Sequence, residues 1–156
     1  MNASEGIDPE VVEGLVALGM PPGVEGPAPS LELLETMRSQ PGPFPFDAVP
    51  APGVRRDETT VPGLAGAPDV PIRVIRRTNA AVGVPGVVWI HGGGLILGSS
   101  DWDAVFLDEL VAKTGCVAVS VEYRLAPETP YPGALDDCYA ALEFLHGHAG
   151  ELGVDA

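Results

Sequence analysis

The stretch "VVWIHGGGLILG", residues 87–98, decides how this chain is read. Four apolar residues run straight into a histidine, three consecutive glycines and a second apolar run closed by Gly98. A continuous apolar run of that kind fits a strand covered on both faces in a parallel sheet. Glycine loses more conformational freedom on ordering than any other residue, so three in succession need a reason. Open α/β sheets place their ligands at the C-terminal ends of the strands. There, glycines allow positive φ and leave backbone N–H groups unshielded. Two adjacent N–H groups aimed into a cleft can stabilise an oxyanion as a carbonyl becomes tetrahedral, and losing one such donor costs roughly 3–4 kcal/mol of barrier. His91 stands where it can hydrogen-bond across the loop and fix its shape.

Three other readings compete for the same residues. The plainest is a glycine turn needed only for close packing. A metal site at His91 is the second, but His146 and His148 are distant in sequence and match no common ligand spacing. The third is a dinucleotide-binding domain: Gly92, Gly94 and Gly98 form GxGxxxG, and Glu122 lies 24 residues beyond Gly98, near where a ribose-binding acid belongs. The glycine spacing departs from GxGxxG, however. "LILGSSDWD" also delays the helix whose N-terminus should press on a pyrophosphate.

Working outward, "CVAVSV" (116–121) is a second continuous apolar run. A helix over about 101–114 separates the two, with Val105, Leu107, Leu110 and Val111 as its apolar residues. Another helix, about 132–148, carries Leu135, Cys138, Leu142 and Leu145 on one stripe. Upstream, strands over about 55–61 and 70–77 flank the turn-forming "PGLAGAPD". In the second of these, Ile72 and Val74 alternate with Pro71 and Arg73, as in a half-buried antiparallel strand near a sheet edge. An antiparallel start followed by strand–helix–strand–helix predicts an α/β fold, with a mostly parallel sheet and helices on both faces. The crossover after the last helix should deliver a further parallel strand past Ala156, and strand 116–121 should carry the unpaired edge.

The first fifty residues read differently. Asp8 and Pro9 suit a helix start, with Val11, Leu15 and Leu18 at helical spacing. Ser30 begins a second helix with Leu31, Leu34 and Met37 on one face, ending before Pro41. The prolines of 41–53 exclude helix and central strand and predict an extended linker. The expected organisation is therefore helical segments and a Pro-rich linker over 1–50 and an α/β core over 51–156.

Composition narrows the partners. The formal charge, 8 − 22 = −14, gives a surface that repels phosphate backbones and argues against nucleic acid. Arg55, Arg56, Arg73, Arg76 and Arg77 cluster in one segment and read as solvated strand faces. No apolar run approaches the roughly 18 residues of a membrane span. The N-terminus carries Glu5, Asp8, Glu10 and Glu13 rather than the basic region of a secretory signal. Cys116 and Cys138 read as buried free thiols, and the expected location is the cytoplasm.

"HGGG" (91–94), "EYRLAPE" (122–128) and "YPGALDDCYAAL" (131–142) occur together in this order. With the flanking "VPIRVIRR" and "GVVWIHGGG", the stretch from about 55 to 150 resembles the hormone-sensitive-lipase-like esterases, the bacterial family IV branch of the α/β-hydrolases (α/β hydrolase fold-3). That resemblance implies hydrolysis of small-molecule carboxylic esters by a Ser–His–Asp/Glu triad, with no cofactor and no metal. It also makes the N-terminal helices the first part of a cap. Gly93 and Gly94 would supply the oxyanion N–H groups, Gly92 the turn and His91 the loop-fixing contact. A third donor would follow the nucleophile. The nucleophile motif GxSxG is expected roughly 70 or more residues after His91, and none of Ser4, Ser30, Ser39, Ser99, Ser100 or Ser120 sits in that frame. The resemblance therefore predicts the N-terminal half of a hydrolase fold, a truncated chain inactive alone, whose full-length form could assemble as a homo-oligomer. His146 and His148 are expected to be solvated rather than catalytic. In "YRLAPE", Tyr123 and Arg124 are expected to be structural. Arg124 would pair with Glu128 or with Asp136 and Asp137, or remain an exposed cation of little consequence. Trp102 and Tyr131 are candidates for an acyl pocket or for plain packing. A non-catalytic small-molecule receptor on the same scaffold is the alternative from another class, because gibberellin receptors resemble these esterases.

Overall fold

The structure, a computed structural model, describes residues 9, 10, 13, 30–39 and 49–155. Two units divide the chain, residues 1–34 and 35–156. Pro9, Glu10 and Glu13 are helical, while the rest of the expected first helix and residues 41–48 of the expected linker lie outside the described residues. Helix α1 spans Leu31–Ser39. The Ser30 hydroxyl accepts from the Leu33 N–H at 3.1 Å, as a helix N-cap should. Of the expected stripe only Leu34 is buried; Leu31 and Met37 are exposed.

Four strands follow: β1 (Val54–Val61), β2 (Val70–Arg77), β3 (Gly86–Ile90) and β4 (Val117–Val121). Their spatial order is β1-β2-β4-β3. The first two pairings are antiparallel and β3–β4 is parallel, so the sheet is mixed with an antiparallel start. Helix α2 (Ala104–Thr114) covers one face, its Leu107 and Val111 packing with Val54, Ile75 and Ala118. Helix α3 (Gly133–Gly147) and the short α4 (Ala149–Leu152) cover the other, over Val70, Ile72, Val74, Val117, Val119 and Val121. Every residue of β4 is buried because each face meets a helix. A fully buried valine or isoleucine of this kind contributes roughly 1.5–3 kcal/mol.

Three expectations need correction. The edge belongs to β3, not to 116–121: the crossover through α2 sets β4 between β2 and β3, with Val119 paired to Val74 on one side and Val88 on the other. Residues 87–90, read as covered on both faces, are accordingly only half-buried, and Ile90 is 52 % exposed. After α4 the chain returns to that edge, where Val154 bridges Val84 in parallel.

The stripe on α3 is the second correction. Leu135 and Leu142 are exposed, and the inward face is Ala134, Asp137, Cys138, Ala141 and Leu145. Small residues let this helix approach the sheet closely, and the large leucines sit one position round, about 100° away. Third, the five arginines are engaged by named partners. Arg56 forks onto buried Asp108 of α2 at 2.9 Å, where the Ala51 N–H also donates. Arg73 pairs with Glu58 and Asp101, and both Arg55 and Arg76 with Asp57. Arg77 donates to the Ala112 carbonyl. Burying Asp108 unpaired would be strongly destabilising, which explains an arginine on the strand opposite.

Candidate functional site

Strand β3 delivers the chain to His91, which is buried. Its ring stacks on Tyr123 with centroids 4.1 Å apart and planes 10° apart. The Tyr123 hydroxyl donates to the His91 carbonyl at 2.8 Å. Burial, with the nearby charges of Cys138 and Glu122, pushes the phenol pKa up and keeps it a donor. His91 Nδ1 lies 2.8 Å from the Gly92 carbonyl. A carbonyl only accepts, so Nδ1 carries the proton. The histidine thus holds its own loop.

Beyond it the backbone turns sharply. Gly93 has φ +126°, and its carbonyl accepts from the N–H groups of Ile96 and Leu97 at 3.2 and 3.0 Å. A Cβ at Gly93 would lie 2.1 Å from the Leu97 carbonyl oxygen, and one at Gly98 would lie 2.5 Å from His91 Nδ1. Close approach therefore requires glycine at both positions. Gly94 follows at φ +63°, with open space where a side chain would be. Leu95, at φ +65°, is a bulky residue in the left-handed region and is held there by the Ala126 N–H donating to its carbonyl at 2.9 Å. Among the described residues no backbone carbonyl accepts from the N–H of Gly93 or Gly94. Gly94 is exposed and Gly93 half-buried.

The "EYRLAPE" segment braces this loop from the side. The Glu122 carboxylate accepts from the Ser100 N–H at 2.6 Å. The start of α2 at Ala104 rather than at the glycines leaves the dinucleotide reading without its helix N-terminus. Arg124 takes Asp137 in a fork, Nε and Nη2 donating at 2.9 and 2.7 Å, and the Arg124 N–H adds a third bond to the same carboxylate. Asp137 is 1 % exposed. Hydrogen bonding to it holds the guanidinium pKa above even its usual high value, with Asp136 adding only a nearby charge. Glu128 is not part of that fork.

Instead Glu128 meets Arg38 of α1, a residue that no sequence motif singles out. Arg38 Nη1 and Nη2 donate to the two Glu128 oxygens at 2.8 and 3.1 Å. Nη2 also donates to the Ala126 carbonyl at 2.7 Å, and Nε to the Ile96 carbonyl at 2.9 Å. Those bonds hold the Glu128 carboxyl below its usual pKa. One signal was available: Arg38 is the sole lysine or arginine before Arg55.

Trp102 lines a cavity of about 260 Å³ together with Arg38, Gly98, Glu122 and Leu125. Tyr131 is 85 % exposed and does not line it. A larger hollow, about 650 Å³, lies at Glu58, Arg73, Asp101 and Glu122; neither is lined by Gly92, Gly93 or Gly94. His146 and His148 are exposed at the end of α3. Among the described residues no helix is long and apolar enough to cross a membrane.

Residues 87–156 match the family described as alpha/beta hydrolase fold. Over 104 residues the chain is 41 % identical to carboxylesterase NlhH of Mycobacterium tuberculosis, covering 67 % of this chain and 32 % of that protein. Among solved structures, a bacterial heroin esterase superposes with a TM-score of 0.64 at 43 % identity, covering 80 % of this chain and 37 % of that one. An esterase of Pyrobaculum calidifontis gives 0.59 at 34 % identity, covering 80 % and 36 %. The chain spans about a third of the length of the relatives it matches.

Proposed function

This chain carries part of a carboxylesterase/lipase-like domain of the α/β-hydrolase fold, and from that premise we propose that its glycine loop is the oxyanion hole of a serine esterase. In the complete domain a serine from outside these residues attacks the ester carbonyl, and the triad histidine takes its proton. The N–H groups of Gly93 and Gly94 receive the charge that develops on the carbonyl oxygen. Alcohol leaves, and water then releases the acid. One observation carries the reading: two consecutive backbone donors at the end of β3, neither engaged by a backbone acceptor among the described residues, in a loop whose shape is fixed from several sides. The hormone-sensitive-lipase-like branch is the proposed subfamily, on the combination of HGGG and YRLAPE. Trp102 is the proposed pocket residue, since it shares a cavity with Leu125 beside Gly98. Two free, buried cysteines suit a reducing compartment, so the cytoplasm is the proposed location. The 156 residues alone should be inactive, because no serine in them stands in a nucleophile elbow.

The test is nitrophenyl-ester hydrolysis by the product of the coding region extended past codon 156. Gly94→Pro, which deletes one N–H and also cannot hold φ +63°, is compared with Gly94→Ala, which keeps the N–H at the cost of the left-handed penalty alone. A kcat lower by about 10²–10³-fold in the proline variant is expected. Equal kcat in the two variants removes the assignment, and turnover by the 156-residue chain above a Gly93→Pro control removes the inactivity.

A further inference from the structure

We propose that Arg38 is the positioning residue of the glycine loop, locking its return limb onto the 126–128 segment. The proposal rests on the oxyanion reading only for what the loop is positioned to do. The clamp itself stands on geometry.

The limb from Leu95 to Gly98 lies outside every helix and strand. Inside the loop, two backbone bonds to the Gly93 carbonyl close the turn. Outward, among the described residues, one backbone bond, Ala126 N–H to the Leu95 carbonyl, ties the limb to the neighbouring segment. Leu95 sits at positive φ and is half exposed, so local preference and burial both favour its release. Arg38 supplies what is missing. One planar guanidinium reaches the carbonyl of Ile96 on the limb, the carbonyl of Ala126 and both oxygens of Glu128. Its donors are set in a rigid fork, so satisfying Glu128 bidentately orients the remaining donors toward the two carbonyls. Lysine cannot do this, because an ammonium is a point charge without that directional set.

The arrangement has a direction of action. Arg38 has a side chain 24 % exposed against 62 % for Glu128, so the cation is the more enclosed partner and the carboxylate its outer brace. Moving Arg38 would free Ile96 first, then the Gly93 turn to which Ile96 and Leu97 are bonded. The amides of Gly93 and Gly94 lie at the far end of that turn.

The test is site-resolved amide hydrogen exchange on the 156-residue chain, which reads the clamp whether or not the chain hydrolyses anything. The hydrogen-bonded amides of Ile96, Leu97 and Ala126 report the loop, and Val117–Val121 of β4 report global stability. In Arg38→Ala the loop amides should exchange about ten-fold faster or more while β4 keeps its rates. Arg38→Lys should fall between wild type and alanine. Glu128→Gln should show a smaller rise, because the two carbonyl bonds survive. Glu109→Gln, which removes only the exposed Lys113 pair, serves as the unchanged control. Loop rates that stay at the wild-type value, or that rise only in parallel with β4, overturn the proposal. If Arg38→Ala fails to fold, Arg38→Lys decides by the same two criteria. A failure here leaves the oxyanion assignment standing, and equal kcat in the Gly94 pair leaves the clamp standing.

Discussion

Adding a single methyl group at three neighbouring glycines should produce three different outcomes. Gly92 has ordinary φ and nothing within 4 Å of a Cβ. Gly92→Ala should therefore be neutral or stabilising by about 0.5 kcal/mol, through the reduced entropy of the unfolded chain. Gly94 also has open space but sits at φ +63°. Gly94→Ala should cost about 1 kcal/mol, the left-handed penalty for an L residue. Gly93 combines φ +126° with a Cβ 2.1 Å from the Leu97 oxygen and 2.5 Å from its carbonyl carbon. Backbone atoms cannot rotate aside, so the turn must open and release the Ile96 and Leu97 N–H groups from the Gly93 carbonyl. Two bonds at about 1 kcal/mol each, plus about 1–3 kcal/mol for the strained backbone, put Gly93→Ala near 3–5 kcal/mol. Urea unfolding followed by tryptophan emission measures all three, with the slope checked for constancy. A Gly93→Ala variant within about 1 kcal/mol of Gly94→Ala would refute the loop geometry, because Gly93 adds both the clash and the more strained φ of +126°.

Two other outcomes follow from the framework around the loop. A double-mutant cycle on Arg124 and Asp137 should give a coupling of about 1–3 kcal/mol, toward the low end because Arg124 reaches water. Asp136→Ala, which removes no fork partner, should stay within about 0.5 kcal/mol of wild type in the same unfolding assay. Cys138 is buried beside Asp137, and burial first, then that charge, pushes its thiol up to about 11 from 9.0. The unfolded thiol therefore ionises first. Stability should fall as pH rises from 9 to about 11, and a Cys138→Ala variant should lose that part of the alkaline slope. A slope unchanged by the substitution would contradict the assignment.

The strands were legible because their signal is local: alternation in 70–77 and unbroken apolar runs in 87–90 and 117–121. Their order was not, since both runs look alike and only the crossover decides that β4 sits inside and β3 outside. The α3 stripe failed for a related reason. Hydrophobicity points to Leu135 and Leu142, but the sheet selects the alanine face because it needs close approach. At the site, the glycines, His91 and the Arg124–Asp137 option could be named from residue type and spacing alone. Arg38 could not, being 58 residues from Ile96 and 90 from Glu128 with no pattern linking them.

That asymmetry has a physical basis. A donor pair for a transient charge must be both unsatisfied in the resting loop and unable to collapse onto a nearer acceptor. Local sequence can provide the first condition: consecutive glycines at a strand end leave N–H groups bare. It cannot provide the second, because the loop's own two bonds to the Gly93 carbonyl hold only the turn. Rigidity has to come from elsewhere in the chain, and here it arrives from separate directions: the Tyr123 hydroxyl at His91, the Glu122 carboxylate at Ser100, and Arg38 at Ile96. Each is a polar contact between segments distant in sequence. A preorganised donor avoids reorganisation when the charge appears, so in the oxyanion hole proposed above these remote braces count as much as the glycines.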